Sequence, residues 1–459
     1  MENSDFSASI ILDKIQLKML FNFRKLSIIL IFLNLCFGFS FFSNAQRNET
    51  DKPNVILIMA DDLGFETLGC NGGESYQTPR LDKLAKEGMR FENCFSTPLC
   101  TPSRVQIMTG KYNFRNYIGF GLLDSNEKTF GHYFQEAGYK TCIAGKWQLY
   151  GNARQQELAG GRTGTLPKDA GFDQYCLWQV KDRGTRYKNP TVEIEGKGLQ
   201  TYEDGYGPDV FVDYIESFIE ENKNQPFFVY FPMCLTHDPF VPTPNSAEFD
   251  GFDSQSKTND PQYFGEMVNY MDQSVGRLVD KINALGLGEN TLVLFIGDNG
   301  TDRDVTSQWK GKSIKGNKGF TTDAGTHVPF IASWPGTIEA GSINPNLIDF
   351  TDFLPSLLDI SGQKEIKKKI QIDGKSFYPQ LLGRKGKGRE WVFCHYDPNW
   401  GKFEPSRYVQ NTKWKLYGSG EIYNLEVDPE EKNPLSKSEL PPKGKSVISE
   451  FAQVLEKLQ

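Results

Sequence analysis

Four short apolar runs stand out along the chain, and each closes on polar residues. Val55 to Ala60 runs into Asp61-Asp62, and Thr141 to Ala144 into Gly145-Lys146. Phe227 to Leu235 leads to His237, and Leu292 to Ile296 to Asp298-Asn299. Runs that are apolar throughout, rather than alternating, suit strands buried on both faces, as in a parallel sheet covered by helices. Met267, Met271, Val275, Leu278, Ile282 and Leu285 recur at helical spacing, and Gly286 predicts the stop. Open α/β sheets collect ligands at the carboxyl ends of their strands. Four such ends carrying Asp, Lys, His and Asp-Asn therefore point to one site.

The pattern changes after about residue 362. Lys364 to Lys369 is a run of charge that reads as a solvated connection. Beyond it, Trp391 to Tyr396, Arg407 to Val409, Lys413 to Tyr417 and Glu421 to Leu425 predict short antiparallel strands, and Val447 to Leu458 an amphipathic terminal helix. The fold class expected is α/β: a large mixed, mostly parallel sheet sandwiched by helices over 52–362, then a smaller α+β domain over 370–459.

Composition narrows the partners. The 459 residues carry 51 Lys+Arg against 58 Asp+Glu, a net charge of −7, which argues against nucleic acid because phosphate binding needs a clustered basic surface. Arg24-Lys25 precede an apolar run from Leu26 to Phe42, and Ser43-Asn44-Ala45 sets small residues before a cleavage point. Residues 1–45 are thus expected to be a signal peptide region, with Met19 an alternative start, no stable membrane anchor, and a periplasmic or secreted product. Of eight cysteines, Cys36 leaves with that segment and seven remain, an odd number. Cys142 and Cys234 sit in apolar runs and are expected to be buried free thiols, and at least one thiol needs another fate.

Cys100-Thr101-Pro102-Ser103-Arg104 suggests one. It reads as a Cys at a turn before a helix starting near Pro102, where the helix N-terminus and Arg104 both favour negative charge. Asp61, Asp62, Asp298 and Asn299 are hard oxygen donors at strand ends, suited to Ca²⁺ or Mg²⁺ rather than zinc. Taken singly, Asp62 could be a helix cap and Asp298-Asn299-Gly300 a turn. Loops 178–190 and 301–317 bring Trp178, Lys181, Arg183, Arg186, Arg303, Trp309 and Lys310, either a carbohydrate-binding rim or solvated loops. Gly311-Lys312-Ser313 mimics the end of a phosphate-binding loop, but Thr306 stands where that motif needs Gly.

With these motifs in order, the chain resembles the sulfatase family of the alkaline-phosphatase-like superfamily. The resemblance rests on C-x-P-x-R followed by a helix ending in Thr-Gly, at Cys100 to Gly110. It extends to Asn54 to Gly64, Gly297 to Gly300, Asp373 to Ser376 and Glu421 to Pro429. It implies that a formylglycine-generating maturation enzyme oxidises Cys100, whose hydrated aldehyde supplies the nucleophilic oxygen. It implies a metal, usually Ca²⁺ and less often Mg²⁺, on Asp61, Asp62, Asp298, Asn299 and the residue at Cys100. Arg104 and Lys146 join the catalytic set, His237 is implied as the leaving-group acid, and Lys318 as a ligand of sulfate and the bridging oxygen. Two positions depart from the family: Gln148 stands where a His contacts the hydrated aldehyde, and His327 where Arg is frequent. Both are candidate positioning residues for hydrate or substrate. The implied function is an exported sulfuric-ester hydrolase acting on sulfated polysaccharide or oligosaccharide. The alternatives are a phosphonate or phosphate-diester hydrolase of the same superfamily and a non-catalytic glycan-binding protein.

Overall fold

Alternate residues of the first strand, Asn54–Ala60 (β1), enter different cores. Ile56, Ile58 and Ala60 pack with helices Pro79–Lys86, Gly207–Asn222 and Phe264–Ala284, whereas Val55, Leu57 and Met59 pack with Cys100–Thr109, Phe130–Glu136 and Phe353–Ile360. A strand apolar on both sides is therefore covered on both sides. The computed structural model describes residues 52–181, 183–384 and 388–458. The expected signal segment, with its cleavage after Ala45, lies outside them. No described helix is long and apolar enough to cross a membrane.

The remaining strands of the large sheet are Met89–Phe95 (β2), Lys140–Lys146 (β3), Gln174–Trp178 (β4), Thr191–Ile194 (β5), Gly198–Thr201 (β6), Phe227–Pro232 (β7) and Thr291–Gly297 (β8). After a hairpin of Thr306–Trp309 (β9) and Lys312–Lys315 (β10), His327–Ser333 (β11) and Ser342–Asp349 (β12) complete it. The order is β12-β2-β11-β8-β1-β7-β3-β4-β5-β6. The centre is parallel, β1 pairing with β7 and β8, and β3 with β7 and β4. β11 runs antiparallel between β2 and β8, and β5 and β6 close the far edge antiparallel, so the sheet is mixed as expected. The four strands whose ends carry the polar motifs, β8, β1, β7 and β3, are consecutive neighbours. That adjacency brings the motifs together.

The second sheet holds Val392–Tyr396 (β13), Ser406–Gln410 (β14), Trp414–Tyr417 (β15) and Ile422–Asn424 (β16), antiparallel in that order. Ile448, Phe451 and Leu455 of helix Pro442–Lys457 cover it, meeting Phe393, Val409, Trp414 and Leu416. Three local readings change. Residues 364–367 form a short helix rather than a solvated connection, because Ile366 packs on the core and Lys367 pairs with Asp359 at 2.5 Å. Residues 306–315 form the β9–β10 hairpin, with Lys310 and Gly311 both at positive φ as its two-residue turn requires. Cys100 is the first residue of its helix rather than part of a preceding turn, and all ten residues of that helix are buried.

Candidate active site

β1 ends at Ala60, and Asp61 and Asp62 follow it into a fully buried space. Asp62 takes a left-handed backbone, φ +60, and donates its N–H to Asp298 Oδ1 at 3.0 Å. Asp298 itself emerges from β8 and donates its N–H to the Ala60 carbonyl at 2.9 Å. One ligand atom each of Asp61, Cys100 and Asp298 lies within 4.8 Å of the others. Asn299 donates from Nδ2 to Asp62 Oδ1 at 2.8 Å and to the Gly300 carbonyl at 3.0 Å, which leaves its Oδ1 buried with no hydrogen-bond partner among the described residues. An orphaned buried acceptor costs about 1–3 kcal/mol. A hard divalent cation among three carboxylates would satisfy it, so the residues present fit such an ion.

The carboxylates are also bound to fixed cations. Lys146, at the end of β3, donates to both oxygens of Asp61 at 3.0 and 2.8 Å. Gly145 before it has φ +122, and a Cβ there would stand 2.0 Å from the Pro232 carbonyl, so the close approach of β3 to β7 requires glycine. Arg104 reaches Asp298 Oδ2 at 3.1 and 3.3 Å and the Lys146 carbonyl at 3.2 Å. Lys318 bonds to Asp62 Oδ2. Burial works against the charge on Asp61, but Lys146, His237, Arg104 and Lys318 outweigh it and hold its carboxyl well below the usual range. Burial, with the charge of Asp61 next, pushes Asp298 up to about 8 even against Arg104. Burial also raises the Cys100 thiol. An unmodified Cys100 is thus a poor thiolate.

His237 follows β7 and faces this cluster with Nε2, 3.2 Å from Lys318 Nζ and 3.8 Å from Asp62 Oδ2. Its Nδ1 lies 2.8 Å from Asp238 Oδ1 and 3.2 Å from Arg186 Nη2. The ring is therefore fixed from behind and presents Nε2 to the site. Arg186, a loop residue in the sequence, is buried, with its guanidinium 4.6 Å from the centre of the Trp178 ring. Asp238 was not singled out in the sequence, where the only signal was its place beside His237.

The family model for sulfatases matches residues 53–363. The chain belongs to the sulfatase family. A second model, for the C-terminal part of N-sulphoglucosamine sulphohydrolase, matches residues 316–459. An arylsulfatase of Hemicentrotus pulcherrimus is 29% identical over 419 residues, covering 84% of this chain and 72% of the relative. The N-acetylglucosamine-6-O-sulfatase of Bacteroides thetaiotaomicron is 24% identical over 524 residues, covering 91% and 88%. Among solved structures, Ps i-CgsB in complex with k-i-k-neocarrahexaose superposes with a TM-score of 0.72 at 25% identity, covering 89% of this chain and 92% of that one. This sulfatase is accordingly a sulfuric ester hydrolase with the alkaline-phosphatase-like fold, and its family implies formylglycine and a divalent metal.

The two departures from the family pattern fall in different places. Gln148 turns toward Cys100, with Oε1 3.8 Å from Sγ, on a backbone of φ +49. His327 is stacked between Phe65 and Phe95, at centroid distances of 4.1 and 5.0 Å, and both its ring nitrogens are engaged by Asp323 (3.3 Å) and the Glu92 carbonyl (2.9 Å). It braces the start of β11 rather than facing the cluster around Cys100. Seven residues from the sequence set converge there with Gln148: Asp61, Asp62, Cys100, Arg104, Lys146, Asp298 and Asn299. Lys318 and His237 close the side next to Asp62. No cysteine is in a disulfide among the described residues, and Cys142 and Cys234 are buried.

Proposed function

We propose that this sulfatase is exported and hydrolyses sulfate esters of carbohydrate, with Cys100 as the site of formylglycine and Ca²⁺ as its metal. The observation that carries the chemical reading is the meeting of Cys100 with the orphaned Asn299 Oδ1, three buried carboxylates and three fixed cations. Asp61, Asp62, Asp298, Asn299 and residue 100 would hold the ion, and an all-oxygen donor set favours Ca²⁺ over zinc. When present, the modified residue supplies a hydrated-aldehyde oxygen as nucleophile and the ion supplies Lewis acidity.

The chain's own side chains do the rest. Lys146 and Lys318 offer ammonium groups to the sulfate oxygens, and Arg104 fixes Asp298 and Asp61 in place. His237 holds a proton at Nε2 for the departing alcohol oxygen, with Asp238 and Arg186 setting the ring. Gln148 orients the group at position 100 by hydrogen bonding, since an amide has no useful basicity near neutral pH. Cys100 is only 2% exposed, so the maturation enzyme must read this segment before the fold closes.

A carbohydrate substrate is supported by the relatives: one is named for N-acetylglucosamine 6-O-sulfate chemistry, and another was solved with a neocarrahexaose. Export is read from the expected signal segment. The test is sulfate release from a panel of defined sulfated mono- and oligosaccharides, with an aryl phosphodiester at equal concentration. Turnover of at least one sugar sulfate, well above the phosphodiester, is expected. Preference for the phosphodiester would favour the phosphonate and phosphate-diester reading, and tight binding without turnover a glycan-binding one.

A further inference from the structure

Lys318 is followed by a glycine whose missing side chain has been replaced by a ring from the C-terminal domain. Gly319 has φ +88, and a Cβ there would lie 2.2 Å from the edge of Phe403, on the loop joining β13 to β14. Phe403 in turn packs on the cluster that contains Leu99 and Cys100. Phe320 stands edge-on to Phe403, centroids 5.7 Å apart at 81°, and is 44% exposed, one of few large apolar side chains left open. Arg303 is exposed and lays its guanidinium 5.4 Å from the Phe320 ring centre and 5.9 Å from that of Phe403. Among the described residues no carboxylate pairs with it. Its neighbour Asp302 has a carboxylate oxygen within 4.8 Å of those of Asp62 and Asp238, which sets this loop against the catalytic cluster.

We infer that Arg303, Phe320 and Phe403 form a subsite for the sugar next to the one that loses its sulfate, and that it selects an anionic sugar. The inference rests on the carbohydrate reading above. An exposed aromatic face takes the apolar C–H face of a pyranose, at little conformational cost because the ring is already held by its neighbour. A cation stacked on an exposed ring gains little from it, so its in-plane N–H groups stay available. Those groups form a planar fork that matches sulfate or carboxylate oxygens. The platform borders Lys318, so a chain whose cleaved sulfate lies on Lys318 has its adjoining unit over Phe320.

The test uses metal-loaded, Cys100-modified full-length protein hydrolysing nitrophenyl sulfate, inhibited by inorganic sulfate or by sulfated hexasaccharides of galactan, glycosaminoglycan and fucan type. Each hexasaccharide is paired with its desulfated form, and the desulfated glycosaminoglycan, which keeps its carboxylates, separates the two anion sources. The readout is the ratio of inhibition constants, hexasaccharide over inorganic sulfate, taken within each variant. In wild type at least one anionic hexasaccharide should be bound more tightly than sulfate. Arg303→Ala should weaken that ratio about tenfold, the loss of one charge-assisted contact, and Arg303→Lys less. Phe320→Ala should weaken it for sulfated and neutral sugars alike. Wild type that fails to distinguish every hexasaccharide from inorganic sulfate would remove the carbohydrate reading and the subsite together. Wild type that does distinguish them, with a ratio unchanged in Arg303→Ala and Phe320→Ala, would overturn the subsite alone.

Discussion

Asp62 sits in a backbone region that a side chain other than glycine enters at a cost of order 1–3 kcal/mol. Its return is placement: one carboxylate meets Asn299, Lys318 and the approach to His237. The role proposed for His237 rests on the same kind of placement, with Nδ1 tied to Asp238 and Nε2 turned inward. A sugar alkoxide is a poor leaving group, and a well-placed acid is worth about 10² to 10⁴ in rate. His237→Ala is therefore expected to cost far more on a sugar sulfate than on nitrophenyl sulfate, whose phenolate leaves unaided. Equal losses in kcat/KM on both substrates, at matched metal content and Cys100 modification, would take His237 out of the acid role. Gln148 carries a smaller burden. Gln148→Ala should lower turnover by about 10- to 100-fold, as loss of one or two hydrogen bonds implies, and a complete loss with an intact fold would show a different role.

Between elements, the C-terminal sheet reaches across to hold the loop that carries Lys318. Tyr396, at the end of β13, donates its hydroxyl to the Gly319 carbonyl at 3.0 Å. Tyr417, at the end of β15, meets Thr321 Oγ1 at 2.9 Å, and the buried Lys415 bonds to the Thr321 carbonyl and to Glu431. Tyr396→Phe should thus lower kcat/KM on nitrophenyl sulfate by up to about tenfold, one hydrogen bond transmitted to Lys318, with native circular dichroism. Tyr423→Phe, on the outermost strand β16, should leave it unchanged; matching effects would argue against a specific brace. None of this coupling is legible in the sequence, because the tyrosines and the loop residues they hold are 77 and 96 residues apart. The four central strands of the large sheet, β8, β1, β7 and β3, were legible, since apolar runs such as Leu292 to Ile296 report burial on two faces. Direction was not: β11 carries an apolar run, Phe330 to Ala332, much like those of the parallel strands, yet pairs antiparallel with β2 and β8. The charge of Lys364 to Lys369 misled because an ion pair to Asp359 and one half-buried Ile packed on the core set that segment's structure.

For the molecule as a whole, the sheet order explains why widely spaced motifs make one centre. β8, β1, β7 and β3 lie side by side, so Asp298, Asp61, His237 and Lys146 leave neighbouring ends of one sheet. The buried helix Cys100–Thr109 brings its first residue to the same place. The acidic motifs and Cys100 that converge there could be read from the sequence because each is compact. Arg186 and Arg303 could be read only as rim or solvated loop residues, and Asp238 not at all, because only the fold shows what they touch. Everything in the catalytic reading depends on what residue 100 is in the working protein. The direct measurement is the mass of the peptide containing Cys100, taken alongside turnover of nitrophenyl sulfate across preparations made with and without the maturation enzyme. Turnover is expected to rise in proportion to the fraction carrying the thiol-to-aldehyde change, and to vanish in Cys100→Ala. Full activity from protein whose Cys100 peptide shows only the unmodified thiol would contradict the account.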